Sequence, residues 1–152
     1  MKGIKIICVG KIKEKYFSEG IRYYVQRIRS RYPMDILECP DEPTPDKASE
    51  TEENLIKSKE GKRILEKIQP DDHVIALAID GRHYDTEAWQ ERMRKCSCQV
   101  RGYMVFVIGG SLGLSDEVLR RADEKLSFSA MTFPHQMMRM ILCQQLARWI
   151  EE

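Results

Sequence analysis

Two uninterrupted apolar runs, HVIALAID at residues 73–80 and YMVFVIGG at 103–110, constrain the fold more than any other part of this sequence. A strand that is apolar on both faces must be covered on both sides, which is typical of a parallel sheet between helices. Segments with helical spacing of apolar residues separate these runs from their neighbours. We therefore expect an α/β fold with a mostly parallel sheet flanked by helices.

The rest of the chain continues the alternation of strand and helix. The predicted strands are 3–10, 34–40, 73–80 and 103–110, the run KLSFS follows at 125–129, and the predicted helices are 17–31, 48–68, 86–95, 115–122 and 135–152. Ser115 is the expected N-cap of the fourth helix. The second helix has its apolar positions at Leu55, Ile56, Ile64, Leu65 and Ile68. With 152 residues and no repeat or linker, the chain is expected to form a single domain over residues 1–152.

Several functional classes conflict with the composition. No apolar run is long enough to cross a bilayer, and the amino terminus alternates like a strand, so we expect neither a membrane protein nor a secreted one. The five cysteines include no C-x-x-C pair, which favours reduced thiols in the cytoplasm. Cys96 and Cys98 are separated by a single residue, but His73, His83 and His135 are scattered, so we expect no metal site.

Charge is unevenly distributed although the net charge is only +1. Residues 22–31 carry four arginines and no acid, whereas residues 38–53 carry seven acids and one lysine. Two solvated faces would explain this distribution, and so would a basic stripe that binds phosphates. The sequence leaves both interpretations open.

Ligands of parallel sheets bind beyond the carboxyl ends of the strands, which selects the turns after Ile79, Ile108 and Phe128. The turn after Ile108 contains three glycines, and the three turns together supply small residues and hydroxyls but few charges. Such a pocket suits an adenine nucleoside bound by main-chain hydrogen bonds better than a triphosphate. The glycines lack both the dinucleotide-binding spacing and a following P-loop lysine, and no acid is placed for Mg²⁺. An ATPase is therefore disfavoured.

At these turns the sequence resembles a known family. FVIGGSLGL at 106–114 and LSFSAMTFPHQMMR at 126–139 are similar to the carboxyl-terminal half of the RlmH family of SPOUT-class ribosomal RNA methyltransferases. The segment VGKIKEKYFSEGIRYYVQRI at 9–28 extends the resemblance to nearly the whole chain. The resemblance implies a SPOUT-type fold with a carboxyl-terminal trefoil knot. It also implies a homodimer that binds S-adenosylmethionine (SAM) and methylates N3 of a pseudouridine in 23S rRNA of the 70S ribosome.

The resemblance also implies which residues bind SAM. The cofactor positions of the family fall on Leu77, Gly109, Phe128, Ser129, Ala130, Met131, Thr132 and Phe133. We add Gly110, because glycine is expected here to let the turn lie close against the methionine or ribose part of SAM. For Leu77 and Phe128 the alternative is simple packing in the core.

The resemblance further implies that Arg148 is a catalytic residue that grips RNA, although a solvated helix arginine is an equal alternative on local sequence. After Arg148 the sequence reads WIEE, where the family has a Tyr-His tail, so SAM binding is expected to survive better than catalysis. His135 could be a general base near neutral pH, or its ring could fix the start of the last helix or a dimer contact.

The last helix has a broad apolar surface, which favours a role in both the core and a dimer interface. The residues of this surface are Met137, Met138, Ile141, Leu142, Leu146 and Trp149. Three functions remain open: a SAM-dependent rRNA methyltransferase, a catalytically impaired RNA-binding dimer that retains SAM binding, and a flavodoxin-like protein. Only the third leaves the segment SFSAMTFPHQ unexplained.

Overall fold

Strands and helices alternate along the whole chain in the computed structural model, which describes residues 1–152. The strands are β1 (Gly3–Val9), β2 (Met34–Cys39), β3 (His73–His83), β4 (Tyr103–Ile108) and β5 (Glu124–Ser127). The helices are α1 (Lys15–Arg29), α2 (Glu50–Leu65), α3 (Thr86–Gln99), α4 (Asp116–Arg121) and α5 (His135–Glu151). None of these helices is long and apolar enough to cross a membrane.

The five strands form one sheet in the order β2-β1-β4-β3-β5, and every neighbouring pair is parallel. Ile6 in β1, for example, lies opposite Ile36 of β2 and Phe106 of β4. The predicted α/β fold with a parallel sheet is therefore confirmed. Because all strands run the same way, their carboxyl ends share one edge of the sheet.

Helices cover both faces of this sheet. In β1 the side chains of Ile4, Ile6 and Cys8 join one buried cluster, and those of Ile7 and Val9 join the other. The first cluster contains residues of α1, α3 and α5, and the second contains residues of α2 and α4. Burial on both faces is the physical reason why the strands read as continuous apolar runs.

Two carboxylates, buried Asp72 and exposed Asp123, accept backbone hydrogen bonds at the amino edge of the sheet. Asp72 accepts hydrogen bonds from the backbone N–H groups of Gln69 (2.8 Å) and Tyr103 (2.9 Å). Asp123 accepts one from the N–H of Val74 at 2.8 Å. The polar backbone groups in these turns therefore have partners inside the protein.

The third strand extends beyond its predicted end. Leu77 and Arg82 both lie opposite Leu126 of β5, so residues 78–81 bulge out before pairing resumes as far as His83. A Cβ on Gly81 would lie 2.8 Å from the backbone nitrogen of Leu126. Glycine at position 81 thus allows β3 to pair with β5 again after the bulge. The apolar run in the sequence does not predict this second stretch of pairing.

Two helices also differ from their predicted form. The predicted helix 86–95 continues to Gln99, because Cys96 extends the buried face formed by Trp89 and Met93. In α2, Leu55 is 57% exposed and does not belong to the core as predicted. Glu60 and Gly61 are buried there instead, facing the turn after β4.

Candidate cofactor site

A cavity of about 720 Å³ opens at the carboxyl ends of β3, β4 and β5. Its wall consists of residues 77–79, 108–114, 126–129 and 131–135, together with Met138 of α5. The three turns that the sequence selects therefore line one cavity. The parallel sheet explains this convergence, because it brings the carboxyl ends of adjacent strands to the same edge.

The glycine-rich turn after β4 folds back on itself. Gly110 and Gly113 form an isolated antiparallel bridge, in which the Gly113 N–H donates to the Gly110 carbonyl at 3.0 Å. Gly113 has φ of +87°, in the left-handed region that favours glycine. A Cβ on Gly109 would lie 2.8 Å from the carbonyl carbon of Gly113. Gly109 is thus needed for the turn to close, and its contact with a ligand stays a prediction.

Short-range contacts shape the segment after β5. The Ser127 hydroxyl donates to the Ser129 carbonyl, and the Met131 N–H donates to the Ser129 hydroxyl, both at 3.0 Å. The Phe128 ring packs edge-on against Trp89, with 6.5 Å between ring centroids. Phe128 therefore contacts the core and lines the cavity at once, while Met131 at the rim is 70% exposed.

The cavity wall contains no lysine, arginine, aspartate or glutamate. His135 is its one histidine, and burial together with the charge of Arg139 lowers the pKa of the imidazole. His135 is therefore neutral at pH 7. The polar groups that remain are backbone N–H and C=O groups and a few hydroxyls, so the wall offers no counter-charge for a triphosphate. The predicted pocket with few charges is confirmed.

Most of the predicted SAM-binding residues lie in the wall of this cavity. They are Leu77, Gly109, Gly110, Phe128, Ser129, Met131, Thr132 and Phe133. Ala130 is exposed and lies outside the wall, and Arg148 is exposed near the far end of α5. Their roles in binding and catalysis stay predictions.

Sequence reasoning missed part of the wall. Leu112 and Leu114 belong to it, although they stand inside the quoted motif FVIGGSLGL. Met138 also lies in the wall, one helical turn after His135. The spacing of three residues between His135 and Met138 on a helix is the signal that could have found it.

An ionic cluster occupies the opposite, amino edge of the sheet. Nε2 of His73 lies 2.6 Å from Oε2 of Glu124, and Arg92 donates to both Glu124 oxygens, at 3.1 and 2.6 Å. Hydrogen bonding to Cys96 and Glu124 raises the pKa of His73 to about 10. Burial disfavours ionised Glu124, yet hydrogen bonds from His73 and Arg92 outweigh this and lower its pKa to about 2.

This cluster bears on the prediction of no metal site. Ligand atoms of His73, Cys96 and Glu124 lie within 4.8 Å of one another, so one of the three histidines is not isolated as the sequence suggested. Arg92 already uses both oxygens of Glu124. We therefore describe the group as an ionic cluster, and the lack of a metal site stays a prediction.

Known proteins are similar to nearly the whole chain. A family profile described as "Predicted SPOUT methyltransferase" matches residues 1–151. The chain is 52% identical over 145 residues to the "Ribosomal RNA large subunit methyltransferase H" of Bacillus pumilus, which covers 95% of this chain and 91% of the relative. It is 48% identical over 145 residues, with the same coverage, to the protein of that name from an Exiguobacterium species.

Among solved structures, the fold is similar to that of a probable methylase family protein from Haemophilus influenzae Rd KW20, with a TM-score of 0.54. This similarity covers 97% of this chain and 66% of that one at 14% identity, so it supports the fold alone. The profile and the two relatives extend over 95% or more of the sequence. The chain therefore belongs to the SPOUT methyltransferase family.

Proposed function

We propose that this protein is a SAM-dependent methyltransferase that acts on ribosomal RNA of the large subunit. The observation that carries the proposal is the uncharged cavity at the carboxyl edge, in a chain about half identical to large-subunit rRNA methyltransferases. The proposed target, taken from the family resemblance, is N3 of a pseudouridine in 23S rRNA of the assembled 70S ribosome. The proposed place of action is the bacterial cytoplasm, where ribosomes are.

The chemistry of the wall fits SAM. Adenine and ribose need neutral donors and acceptors together with apolar surface, and the wall supplies backbone groups, hydroxyls and leucines. We propose that the turn at 109–110, the segment 128–133 and Leu77 hold the cofactor. We also propose the carboxyl-terminal trefoil knot that the family resemblance implies.

When bound, SAM supplies the methyl group, so that the N3 lone pair forms a C–N bond while the S–C bonding electrons return to sulfur and the N3 proton leaves. The chain has to align the two groups and exclude water. His135 lines the cavity as a neutral imidazole, able to accept a proton. We propose His135 as the general base. The alternative that the sequence left open is that the His135 ring fixes the start of α5. A His135→Gln variant tests both roles.

We propose that Arg148 acts in the cavity of a second copy of the chain. Arg148 is thirteen residues after His135 on one helix, which places it about 20 Å away along the axis. It cannot reach the cavity of its own chain from there. Met137, Met138 and Ile141 on the same helix remain partly exposed, which supports a homodimer through α5.

The deciding experiment measures transfer of labelled methyl from SAM to 70S ribosomes that lack the modification, beside calorimetry with SAM and with FMN. We expect SAM binding, methyl transfer and no FMN binding. SAM binding without transfer would favour the catalytically impaired RNA-binding dimer. Binding of FMN in place of SAM would overturn the proposal.

The dimer is tested separately. Sedimentation equilibrium at micromolar concentration should give twice the chain mass, and a monomer would contradict the proposal. Mixing an Arg148→Ala chain with a Gly109→Ala chain should restore about a quarter of the wild-type rate if Arg148 acts across the interface. That fraction assumes that the two variant chains pair at random in C2 dimers. Half of the dimers are then mixed, and one of the two sites in each mixed dimer is intact.

A further inference from the structure

A groove of about 430 Å³ lies between α1, β2 and the first turns of α5. We call it the basic groove, because its charged lining consists of Lys11, Arg22, Arg29 and Arg139 against Asp35 and Glu38. The cations outnumber the carboxylates by two. The groove therefore favours an anionic ligand.

The surplus charge belongs to two particular side chains. Arg29 lies 3.7 Å from Asp35 and also donates to the Met34 carbonyl, so its charge is engaged within the protein. Lys11 and Arg22 are exposed and have no carboxylate within 4.0 Å. These two cations are free to meet a ligand.

The arginines of residues 22–31 thus divide into two groups. Arg27 pairs with Glu151, and Arg31 donates to the Ile150 carbonyl at 2.8 Å, so both arginines fasten α5 to α1. Arg22 instead faces the basic groove. Of the two interpretations that the sequence left open, phosphate binding fits Arg22, whereas Arg27 and Arg31 lie at the surface with partners in α5.

Arg139 forms the floor of the basic groove. Its side chain is 3% exposed, and its Nη atoms donate to Glu38 at 2.8 Å and to the Gly10 carbonyl at 3.2 Å. The Nε–H group is buried without any acceptor in the protein. A buried donor without a partner is unfavourable, and a small shift of the Arg139 side chain toward an anion in the groove would give this donor an acceptor.

The basic groove adjoins the cofactor cavity. Arg139 and His135 are one turn apart on α5, and His135 lines the cavity. A Cβ on Gly10, the residue before Lys11, would lie 4.0 Å from Nε2 of His135. A strand that places one nucleotide in the cavity can therefore continue across His135 into the groove.

We infer that the basic groove binds a backbone phosphate of the RNA strand beside the target nucleotide, with Lys11, Arg22 and Arg139 as positioning residues. The inference rests on the proposed function, because it takes the ligand of the neighbouring cavity to be SAM and the strand to be ribosomal RNA. Phosphate contacts set the register of a strand without reading its sequence. The groove would thus aim the base at the cavity.

The test compares two double variants of equal charge. Lys11→Gln with Arg22→Gln removes the free cations of the basic groove. Lys59→Gln with Arg120→Gln removes one lysine and one arginine from α2 and α4 on the other face of the sheet; both are exposed and have no ion-pair partner. Circular dichroism checks that both variants fold. Binding to 70S ribosomes is measured over a range of salt, together with methyl-transfer kinetics.

We expect the groove variant to raise KM for ribosomes about tenfold and to lower the slope of log affinity against log salt by about 1 to 2. Its Kd for SAM should stay within about twofold of wild type, because the cofactor cavity is unchanged. The control variant should match wild type. Equal losses in both variants, or no loss in the groove variant, would overturn the inference.

Failure of the proposed function is a separate result. If the wild-type protein binds ribosomes through the groove but transfers no methyl group, phosphate binding stands and the methyltransferase proposal falls. If the wild-type protein methylates ribosomes while the two variants behave alike, the groove assignment alone is overturned.

Discussion

The two edges of the parallel sheet use opposite chemistry. At the amino edge, Asp72 and Asp123 accept backbone hydrogen bonds, and His73, Glu124 and Arg92 form an ionic cluster. At the carboxyl edge, the wall of the cavity contains none of the four strongly charged residue types. One sheet thus has a charged amino edge whose partners are internal and, at the carboxyl ends of β3, β4 and β5, an uncharged wall whose backbone groups face a cavity.

This difference separates stability from ligand binding. Polar groups at the amino edge are satisfied within the chain, so they contribute to folding and offer little to a ligand. Apolar side chains at the carboxyl edge, such as Ile79 (56% exposed) and Met131, remain uncovered. Changes at the first edge should therefore alter the free energy of unfolding, and changes at the second should alter ligand affinity.

The largest effect is expected from a matched pair of glycine substitutions. A Cβ on Gly109 would lie 2.8 Å from Gly113, and one on Gly102 at the amino edge would lie 2.7 Å from Asp72. Forcing either contact costs about 2 kcal/mol. Gly109→Ala should weaken SAM binding about thirtyfold by calorimetry, since 1.4 kcal/mol is a factor of ten. Gly102→Ala should lower stability and leave the SAM affinity unchanged; equal losses of affinity would break the comparison.

Next in size is the buried carboxylate at the amino edge. Asp72→Asn replaces one acceptor oxygen by an NH₂ group that faces a backbone N–H, so we expect a loss of about 1.5 kcal/mol in the free energy of unfolding. Urea denaturation measures it, and Asp71→Asn at the exposed neighbouring position is the control. A stable Asp72→Asn protein with weakened SAM binding would show that the two edges are coupled.

The ionic cluster predicts a smaller, pH-dependent effect. Hydrogen bonding to Cys96 and Glu124 raises the folded pKa of His73 to about 10, above its ordinary value. Its contribution is therefore complete below about pH 6.5 and is lost as the pH rises toward 10. We expect wild-type stability to fall by about 1 kcal/mol over this window, given partial exposure. His73→Gln should remove the slope, whereas His83→Gln at an exposed position should retain it.

The smallest effect concerns the uncovered rim. Met131→Ala removes a side chain that is 70% exposed, so thermal denaturation should show no change beyond about 0.5 kcal/mol. If a ligand covers that side chain, SAM affinity should fall about three- to fivefold, since about 1 kcal/mol of apolar contact is lost. An unchanged affinity would place Met131 outside the binding surface.

Much of the fold was predictable from the sequence because its signals are local. Continuous apolar strands such as 103–108 and the capping residue Ser115, whose hydroxyl accepts from the Val118 N–H, follow from burial and from backbone hydrogen bonding. The convergence of three turns on one cavity followed from the parallel arrangement alone. Family resemblance independently selected residues 128–133, of which all except Ala130 line the cavity.

What the sequence could not predict depends on contacts between distant residues. The role of Gly109 depends on where Gly113 returns, and the ionic cluster joins His73 to a glutamate 51 residues away. Spacing along a chain does not encode such separations.

The packing of α5 on α1 determines when the chain can fold. Tyr32, just after α1, stacks on Trp149 with 5.9 Å between ring centroids, and both belong to the layer that buries Ile21, Val25 and Ile28. The apolar face of α1 also packs on β1 and β2, but its cover is completed by a helix synthesised more than a hundred residues later. Contacts of such high sequence separation slow folding and leave apolar surface exposed in the meantime. A nascent chain that ends before α5 therefore has an incomplete core and leaves part of the apolar face of α1 exposed.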